Sequence, residues 1–485
     1  MCGILGIFSP EPVAPALLTG LHALQHRGQD AAGIVTWDGQ FHTRKGVGLV
    51  PEVIGTDLEE LPGSIGLAHV RYATQGSMGA VDAQPLTLAW PPGLAMVHNG
   101  NVTNFKVLRD ALRQNTQTSL QTANDVELML HALAAPWRGQ SMQRLQVVDI
   151  FDAVSALQAQ VEGAYSAIAV LAGRGLLAFR DRLGIRPLVL GQRQTSAGIA
   201  YAFASESTCF TPLGYDLVRE LAPGEAVLVD SAGQLHRSGA GADRGAFCAF
   251  EFIYFASPDA TMNGTSVAER RRQAGQRLAR QVRQAGLQPE VVVDVPNSAW
   301  HAAAGLADAL NLPHIQGLIA VGPPVRSFLG PHPTARLRTV QDKLQAVPDL
   351  VAGRRVAVVD DSIVRGTTAK YITRLLQDAG AAAVYFLAAS PPVLHRCAYG
   401  IDLPTRQEIL ANGRNRVQIQ AFIGADAVLY QDLADLQASH SDVAGCFACF
   451  SGDYPTELSA QTWAALAEDR QLRQDLTAPN AERPL

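Results

Sequence analysis

Between residues 291 and 389 the chain repeats one pattern, a short β-branched run followed by a stretch with helical spacing. Residues 291–295 precede 300–310, residues 356–359 precede 369–379, which stop at Gly380, and 383–389 form a third run. Apolar runs without alternation are buried on both faces, and strands separated by helices pair in parallel. This part therefore predicts an α/β domain built on a parallel sheet. Residues 1 to about 240 follow another rhythm. Apolar strand candidates at 2–8, 31–37, 65–70, 94–98, 166–172 and 176–180 are separated by Gly and Pro at short spacing, which predicts stacked antiparallel sheets. Helices are expected at 14–25, 104–114 and 125–134, the last capped by Asn124 or Asp125. The Gly- and Ala-rich stretch 238–244 is the candidate linker. The expected domains are 2–240 and 245–460, followed by a polar C-terminal tail over 461–485. A length of 485 residues suits two hydrophobic cores better than one.

Composition narrows the function. Charged residues make up 17% of the chain, the formal net charge is −5, and no Lys/Arg run stands out. That argues against a nucleic-acid backbone as partner and leaves room for a local anion site. No stretch of about 18 apolar residues exists, which argues against a membrane span. The apolar opening Ile4-Leu5-Gly6-Ile7-Phe8 lacks a basic flank and soon meets Pro10, Pro12 and Pro15, so a secretory signal is not expected. Six cysteines in this length do not make a disulfide scaffold, and a reducing cytoplasm is the expected compartment.

Cys2 follows a methionine of the kind removed before small residues, so the mature chain is expected to begin with Cys2 and to need no propeptide. Thiol and free α-amine then share one residue. The amine, with a pKa of about 8, can take the thiol proton directly or through water. A lone cysteine beside the start would mean little, but four segments accompany it. They are Gln25-His26-Arg27-Gly28-Gln29-Asp30, His69-Val70-Arg71-Tyr72, His98-Asn99-Gly100-Asn101 and Thr122-Ala123-Asn124-Asp125.

In this order these residues resemble the class II, N-terminal-nucleophile (Ntn-hydrolase) glutamine amidotransferases. That family has a four-layer αββα fold and releases ammonia from the side-chain amide of glutamine. The resemblance implies Cys2 as nucleophile, with the Asn99 side chain and the Gly100 backbone N–H as oxyanion donors. It implies Arg71 as the fork for the substrate carboxylate and Asp125 as partner of its ammonium group. Arg27 would lie in a loop lining the glutamine pocket.

A second constellation runs from Arg355 to Thr368. An apolar strand delivers Asp360 and Asp361, and the loop Ser362-Ile363-Val364-Arg365-Gly366-Thr367-Thr368 then opens a helix. Backbone N–H groups, hydroxyls and a helix N-terminus make an anion site, and acids beyond a strand's carboxyl end can hold sugar hydroxyls and a metal. Neither the Walker pattern nor the dinucleotide glycine pattern fits. The stretch resembles the phosphoribosyl pyrophosphate loop of type I phosphoribosyltransferases. The likeness implies Asp360 and Asp361 on the ribose hydroxyls. Ser362 belongs to the same loop, and Arg365, Gly366, Thr367 and Thr368 wrap the 5-phosphate. Ser298, Asp360 and Asp361 would attend a magnesium ion.

The family that joins these halves in this order is amidophosphoribosyltransferase, and the resemblance runs from Met1 to about Leu458. It takes in Gly184-Ile185-Arg186-Pro187, Ala204-Ser205-Glu206-Ser207 and Phe250-Glu251-Phe252. It implies that ammonia made at Cys2 displaces pyrophosphate from C1 of phosphoribosyl pyrophosphate, giving 5-phosphoribosylamine for purine synthesis. It also implies a homo-oligomer.

Cys446-Phe447-Ala448-Cys449 alone could be a zinc half-site, a redox pair or neither. Cys248 and Cys397 fall where iron–sulfur members of the family place theirs, which implies a [4Fe–4S] cluster on four thiolates, with a four-thiolate zinc site as the rival. Two departures stand out. The family's mobile lid falls on 320–328, where only Arg326 and Phe328 match. The pyrophosphate loop Asp294-Val295-Pro296-Asn297-Ser298 carries Asn297 in place of an acid, and of a Tyr-x-x-Arg pair Arg271 remains while Ala268 replaces the Tyr. These departures keep open an alternative, a paralogue with an intact glutaminase and a weakened transferase. Such a protein could act as a glutaminase or as a sensor of phosphoribosyl pyrophosphate.

Overall fold

The Gly and Pro punctuation of the first half closes into two antiparallel sheets. The computed structural model describes residues 1–72, 79–89, 93–116, 118–140, 144–239, 245–321, 344–440 and 444–477. Its first strands are β1 (Gly3–Phe8), β2 (Ala31–Trp37), β3 (Phe41–Val47), β4 (Ile65–Arg71), β5 (Leu86–Leu88) and β6 (Leu94–Val102). They are followed by β7 (Gly163–Leu171), β8 (Gly175–Arg180), β9 (Val189–Thr195), β10 (Gly198–Ala204), β11 (Asp216–Glu220), β12 (Ala226–Asp230) and β13 (Leu235–Arg237). One sheet has the order β11-β9-β10-β1-β4-β2-β3 and the other β13-β12-β8-β7-β6-β5.

Side chains such as Ile4, Leu67, Val97 and Ile168 fill the space between the sheets. Helix α1 (Ala14–Leu24) covers the outer face of the first sheet through Leu17, Leu21 and Leu24. The second sheet is covered by α2 (Phe105–Thr116), α3 (Asp125–Ala134) and α4 (Val147–Gln160). The result is the αββα layering expected from the sequence. Asn124 is the cap of α3, accepting from Val126 N at 3.1 Å.

Strand β6 runs four residues beyond the expected 98. His98-Asn99-Gly100-Asn101 reads as a polar loop, yet it is buried and paired with β7, Asn99 opposite Ser166 and Gly100 opposite Tyr165. Cross-strand pairing there overrides a polarity that the site requires.

After residue 245 the chain enters β14 (Phe247–Cys248) and one π-helical turn, Glu251–Phe255. The parallel sheet follows, made of β15 (Val291–Asp294), β16 (His314–Ile315), β17 (Arg355–Asp360), β18 (Ala383–Ala388) and β19 (Ala427–Tyr430) in the order β16-β15-β17-β18-β19. Helices α5 (Val267–Gln284), α6 (Trp300–Leu310), α7 (Thr367–Asp378) and α8 (Arg416–Ile423) pack on it, and the valines of β15 and β17 are fully buried. Strand order reverses between β15 and β17, so the loops leaving their carboxyl ends face each other across the switch point, where such sheets bind ligands.

The strand β20 (Gly445–Cys446) pairs in parallel with β14. Within the expected polar tail, residues 460–477 form helix α9 (Ala460–Thr477). Trp463 and Leu466 pack on an apolar cluster, the Arg470 guanidinium reaches Asp402 at 3.1 Å, and Lys106 of the first domain pairs with Glu468 at 2.9 Å. A few apolar anchors among charged residues suffice once a surface exists to receive them. Of the lid expected at 320–328, only Ala320 and Val321 lie among the described residues.

Candidate active site

Cys2 stands at the entry to β1, in the first sheet, and Asn99 on β6, in the second. The Cys2 backbone nitrogen donates to Asn99 Oδ1 at 3.2 Å, and Cys2 Sγ lies 3.5 Å from the Tyr72 carbonyl oxygen. With its oxygen engaged, the Asn99 amide turns Nδ2 elsewhere, and that donor is buried with no hydrogen-bond partner among the described residues. A buried amide donor without an acceptor is costly, commonly by about 1–3 kcal/mol. A ligand oxygen placed beside Cys2 would relieve it. Gly100 follows, and a side chain there is impossible: a Cβ would stand 1.9 Å from the Ala164 carbonyl oxygen.

The neighbouring histidines are fixed by their hydrogen bonds. His98 N donates to Gln84 Oε1 at 2.8 Å, so the Gln84 amide donates to His98 Nδ1 at 3.1 Å. The ring proton of His98 therefore sits on Nε2, facing Asp125 Oδ2 at 3.2 Å. Asp125 Oδ2 also accepts from Val102 N at 3.0 Å. Burial alone would raise the Asp125 carboxyl, but His98 and the Val102 N–H outweigh it and hold it below the usual range. Asp125 is thus an ionised carboxylate in a closed site. His69, fully buried, is pushed well below its ordinary pKa by burial and then by His98 and Arg71, so it is neutral. Arg71 ends β4 and is also buried, within this same group.

Arg27, expected in a loop lining the glutamine pocket, has a fully buried guanidinium engaged by the protein itself. Nε donates to the Cys2 carbonyl oxygen at 2.9 Å, Nη1 to Glu206, and Nη2 to both oxygens of Glu251 at 3.0 and 3.1 Å. Burial would lower this guanidinium, yet Glu251 and Glu206 outweigh it and hold it above its usual value. Conversely, burial would raise the Glu206 carboxyl, and His26 with Arg27 holds it well below. The visible role of Arg27 is to fasten Cys2. Glu206, Glu251 and Arg186 were legible only as matching segments, because nothing local shows that residues so far apart in the chain meet.

In the second domain the two facing loops are joined. Ser298 Oγ donates to Asp361 Oδ2 at 2.5 Å and Ser362 Oγ to Asp361 Oδ1 at 2.6 Å. Asp360 ends β17, its Oδ1 accepting from Asp361 N at 2.9 Å, and burial, with the adjacent Asp361 charge, pushes its carboxyl well above the usual range. Gly366, at φ +75°, turns the chain into α7, which brings Thr367 and Thr368 into the first helical turn. Arg365 Nε lies 3.4 Å from Glu408 Oε1. Asn297 lies in the loop that Ser298 anchors. Arg271 is buried and donates to the Phe252 and Ala256 carbonyl oxygens at 2.7 and 2.8 Å.

The four cysteines from distant parts of the chain converge. Cys248 pairs directly across from Cys446, Cys449 shares their apolar cluster, and Cys397 packs against it. Burial pushes the Cys248 thiol up to about 11, with smaller contributions from Glu251 and Cys397, and it also raises the Cys446 and Cys449 thiols. The Tyr399 N–H donates to Cys397 Sγ at 3.3 Å. Among the described residues no three or more His, Cys, Asp or Glu side chains stand in a metal-holding arrangement. Cys209 lies elsewhere, in the core of the first domain.

A glutamine amidotransferase domain pattern matches residues 69–212. The amidophosphoribosyltransferase of Pseudomonas aeruginosa is 39% identical over 470 residues, covering 94% of this chain and 93% of that protein. The Escherichia coli amidophosphoribosyltransferase is 38% identical, with the same coverage. Among solved structures, the glutamine phosphoribosylpyrophosphate amidotransferase of Bacillus subtilis, complexed with ADP and GMP, superposes with a TM-score of 0.82 at 35% identity, covering 95% of this chain and 98% of that one.

Proposed function

The chain belongs to the amidophosphoribosyltransferase family, and on that premise we propose how its two sites divide one reaction. It is a glutamine-dependent enzyme that forms 5-phosphoribosylamine from phosphoribosyl pyrophosphate and glutamine-derived ammonia, the first step of purine biosynthesis. The Pseudomonas aeruginosa and Escherichia coli relatives match over 94% of this chain, so the paralogue alternative has no support beyond the altered lid and pyrophosphate loop.

In the first site, Cys2 Sγ attacks the side-chain carbonyl carbon of glutamine. The thiol proton passes to the α-amine freed by loss of Met1 and from there to the departing ammonia. Asn99 Nδ2 and the Gly100 N–H meet the charge that grows on the carbonyl oxygen, an effect worth about 2.7–4 kcal/mol per donor in comparable sites. The observation that carries this reading is the Asn99 amide itself, fastened to Cys2 by one end and holding at the other a buried donor with no partner among the described residues. Arg71 and Asp125 would take the substrate's carboxylate and ammonium. Water then cleaves the thioester, and glutamate leaves.

In the second site the loop 362–368 and the N-terminus of α7 would receive the 5-phosphate, and Asp360 and Asp361 the ribose hydroxyls. Donors or a cation would relieve the crowding of two adjacent buried carboxyls. Magnesium would be held by Ser298, Asp360 and Asp361 and would stabilise pyrophosphate as leaving group. Ammonia then attacks C1 as the C1–O bond to pyrophosphate breaks. Ammonia loose in water near pH 7 is mostly ammonium, so it must travel between the sites under cover. Without added ammonium salt, purified protein is expected to release pyrophosphate only when both glutamine and phosphoribosyl pyrophosphate are supplied. Glutamate formed without any pyrophosphate would overturn the transferase half.

Cys248, Cys397, Cys446 and Cys449 would hold a [4Fe–4S] cluster. The donor set is all sulfur, and the Tyr399 N–H bonds to Cys397 Sγ. The three buried thiols Cys248, Cys446 and Cys449, raised chiefly by burial, gain most from a metal that takes their protons. The cluster would be structural, tying β14 and β20 to the Cys397 loop. Protein purified without oxygen should contain iron and acid-labile sulfide in equal amounts, about four of each per chain. Zinc without sulfide would replace this reading with the zinc site. A reducing cytoplasm and a homo-oligomer complete the proposal.

A further inference from the structure

We propose that the loop Ala398-Tyr399-Gly400 and Glu251, all from the second domain, position the oxyanion donors of the first. This inference rests on the glutaminase reading and adds to it a set of residues that touch no substrate.

The contacts run in a closed circuit from Cys2 to Gly100. Arg27 holds the Cys2 carbonyl oxygen and grips Glu251. Glu251 Oε1 is also 3.5 Å from Nη1 of Arg186, which is fully buried. Arg186 Nε donates to the Tyr399 carbonyl oxygen at 2.8 Å, and Nη2 reaches the same oxygen. Gly400 then lies against Gly100. With φ at +96°, its α-carbon faces the Gly100 peptide so closely that a Cβ would stand 3.0 Å from the Gly100 carbonyl oxygen and 3.4 Å from Arg186 Nη2. A second tie runs beside it, Asn101 Nδ2 donating to the Ala398 carbonyl oxygen at 2.9 Å.

This stretch of β6 has no freedom to retreat. On its other side the Ala164 carbonyl already excludes any side chain at Gly100. The strand is therefore clamped between β7 of its own domain and the 398–400 loop of the other. Glu251 is equally fixed to the second domain, because Arg271 of α5 binds both ends of its turn. Oxyanion donors act only when placed to within a fraction of an ångström, and a 1 Å displacement can cost about 100-fold in rate. The first domain thus contains every reacting group of the glutaminase, yet its geometry depends on the second.

The test uses the full-length protein with Gly400→Ala, which adds one methyl against Gly100, and Asn101→Ala, which removes the tie to Ala398 without adding bulk. For Gly400→Ala the glutamine-driven kcat should fall about 10- to 100-fold, with KM for glutamine shifted less than about threefold. Asn101→Ala should show the same split at smaller size. Ammonia-driven pyrophosphate release should stay at the wild-type rate in both. Alkylation of Cys2 by iodoacetamide, which needs the thiol but no oxyanion donor, should also be unchanged. The proposal is overturned if glutamine-driven kcat is unaffected in both variants, if ammonia-driven activity falls in step, or if alkylation slows as much as kcat. Wild-type protein unable to hydrolyse glutamine would overturn the glutaminase reading and this inference with it. An active wild type with unaltered variants defeats the inference alone.

Discussion

Cys2→Ala is expected to cut glutamine-driven 5-phosphoribosylamine formation by at least about 10⁴-fold, a barrier increase of more than about 5 kcal/mol, because no other group can form the thioester. Ammonia-driven formation should persist at the wild-type rate. The reason lies in the placement of the two chemistries. Cys2 Sγ contacts Tyr72, and its backbone is held by Asn99 and Arg27, whereas the phosphate loop sits at the carboxyl end of β17 in the other domain. A small side chain at position 2 removes the nucleophile and leaves those backbone bonds intact. Pyrophosphate release measured with glutamine and with ammonium chloride separates the two. Equal loss of both would show that Cys2 is chiefly a packing residue and that its thiol is not the nucleophile.

The opposite selectivity is expected at the switch point. Asp361→Asn should lower pyrophosphate release at least about 100-fold with either nitrogen source, while glutamine hydrolysis in the absence of phosphoribosyl pyrophosphate remains. Asp361 joins the two ligand loops, taking Ser298 on one oxygen and Ser362 on the other. An amide retains the shape but loses the charge and one of the two acceptors, so the ribose and metal contacts and the loop junction weaken together. Glutamate production and pyrophosphate release, followed in one assay, decide it. Pyrophosphate release at the normal rate would remove Asp361 from the site. The two substitutions form a complementary pair, each silencing one half of a coupled reaction.

Much of this was legible before any coordinates. The β-branched runs between 291 and 389 became β15, β17 and β18 within one or two residues, since a strand buried on both faces has no alternative composition. Cys2, Asn99, Asp125 and the loop 360–368 were recognisable because each carries its chemistry in a short contiguous stretch. What stayed hidden shares one cause. The ion pairs of Arg27 with Glu206 and Glu251 were hidden because its partners lie far along the chain. The extension of β6 through Asn101 was hidden because its residues are polar for the sake of the site. Helix α9 was hidden because its anchors need a surface made by other segments.

Short stretches of chain specify the kinds of group available: a thiol beside the chain start, an amide–glycine pair, adjacent acids before a Gly/Thr loop, and four cysteines. These follow from side-chain chemistry and from periodicities a few residues long. Which groups meet is set by the folded chain. It set Cys2 against Asn99 across two sheets, brought Ser298 to Asp361 across a reversal of strand order, and closed the circuit from Arg27 through Glu251 and Arg186 to Gly400. Contacts between residues sixty or more positions apart are products of packing and register, and no local pattern of residues encodes them.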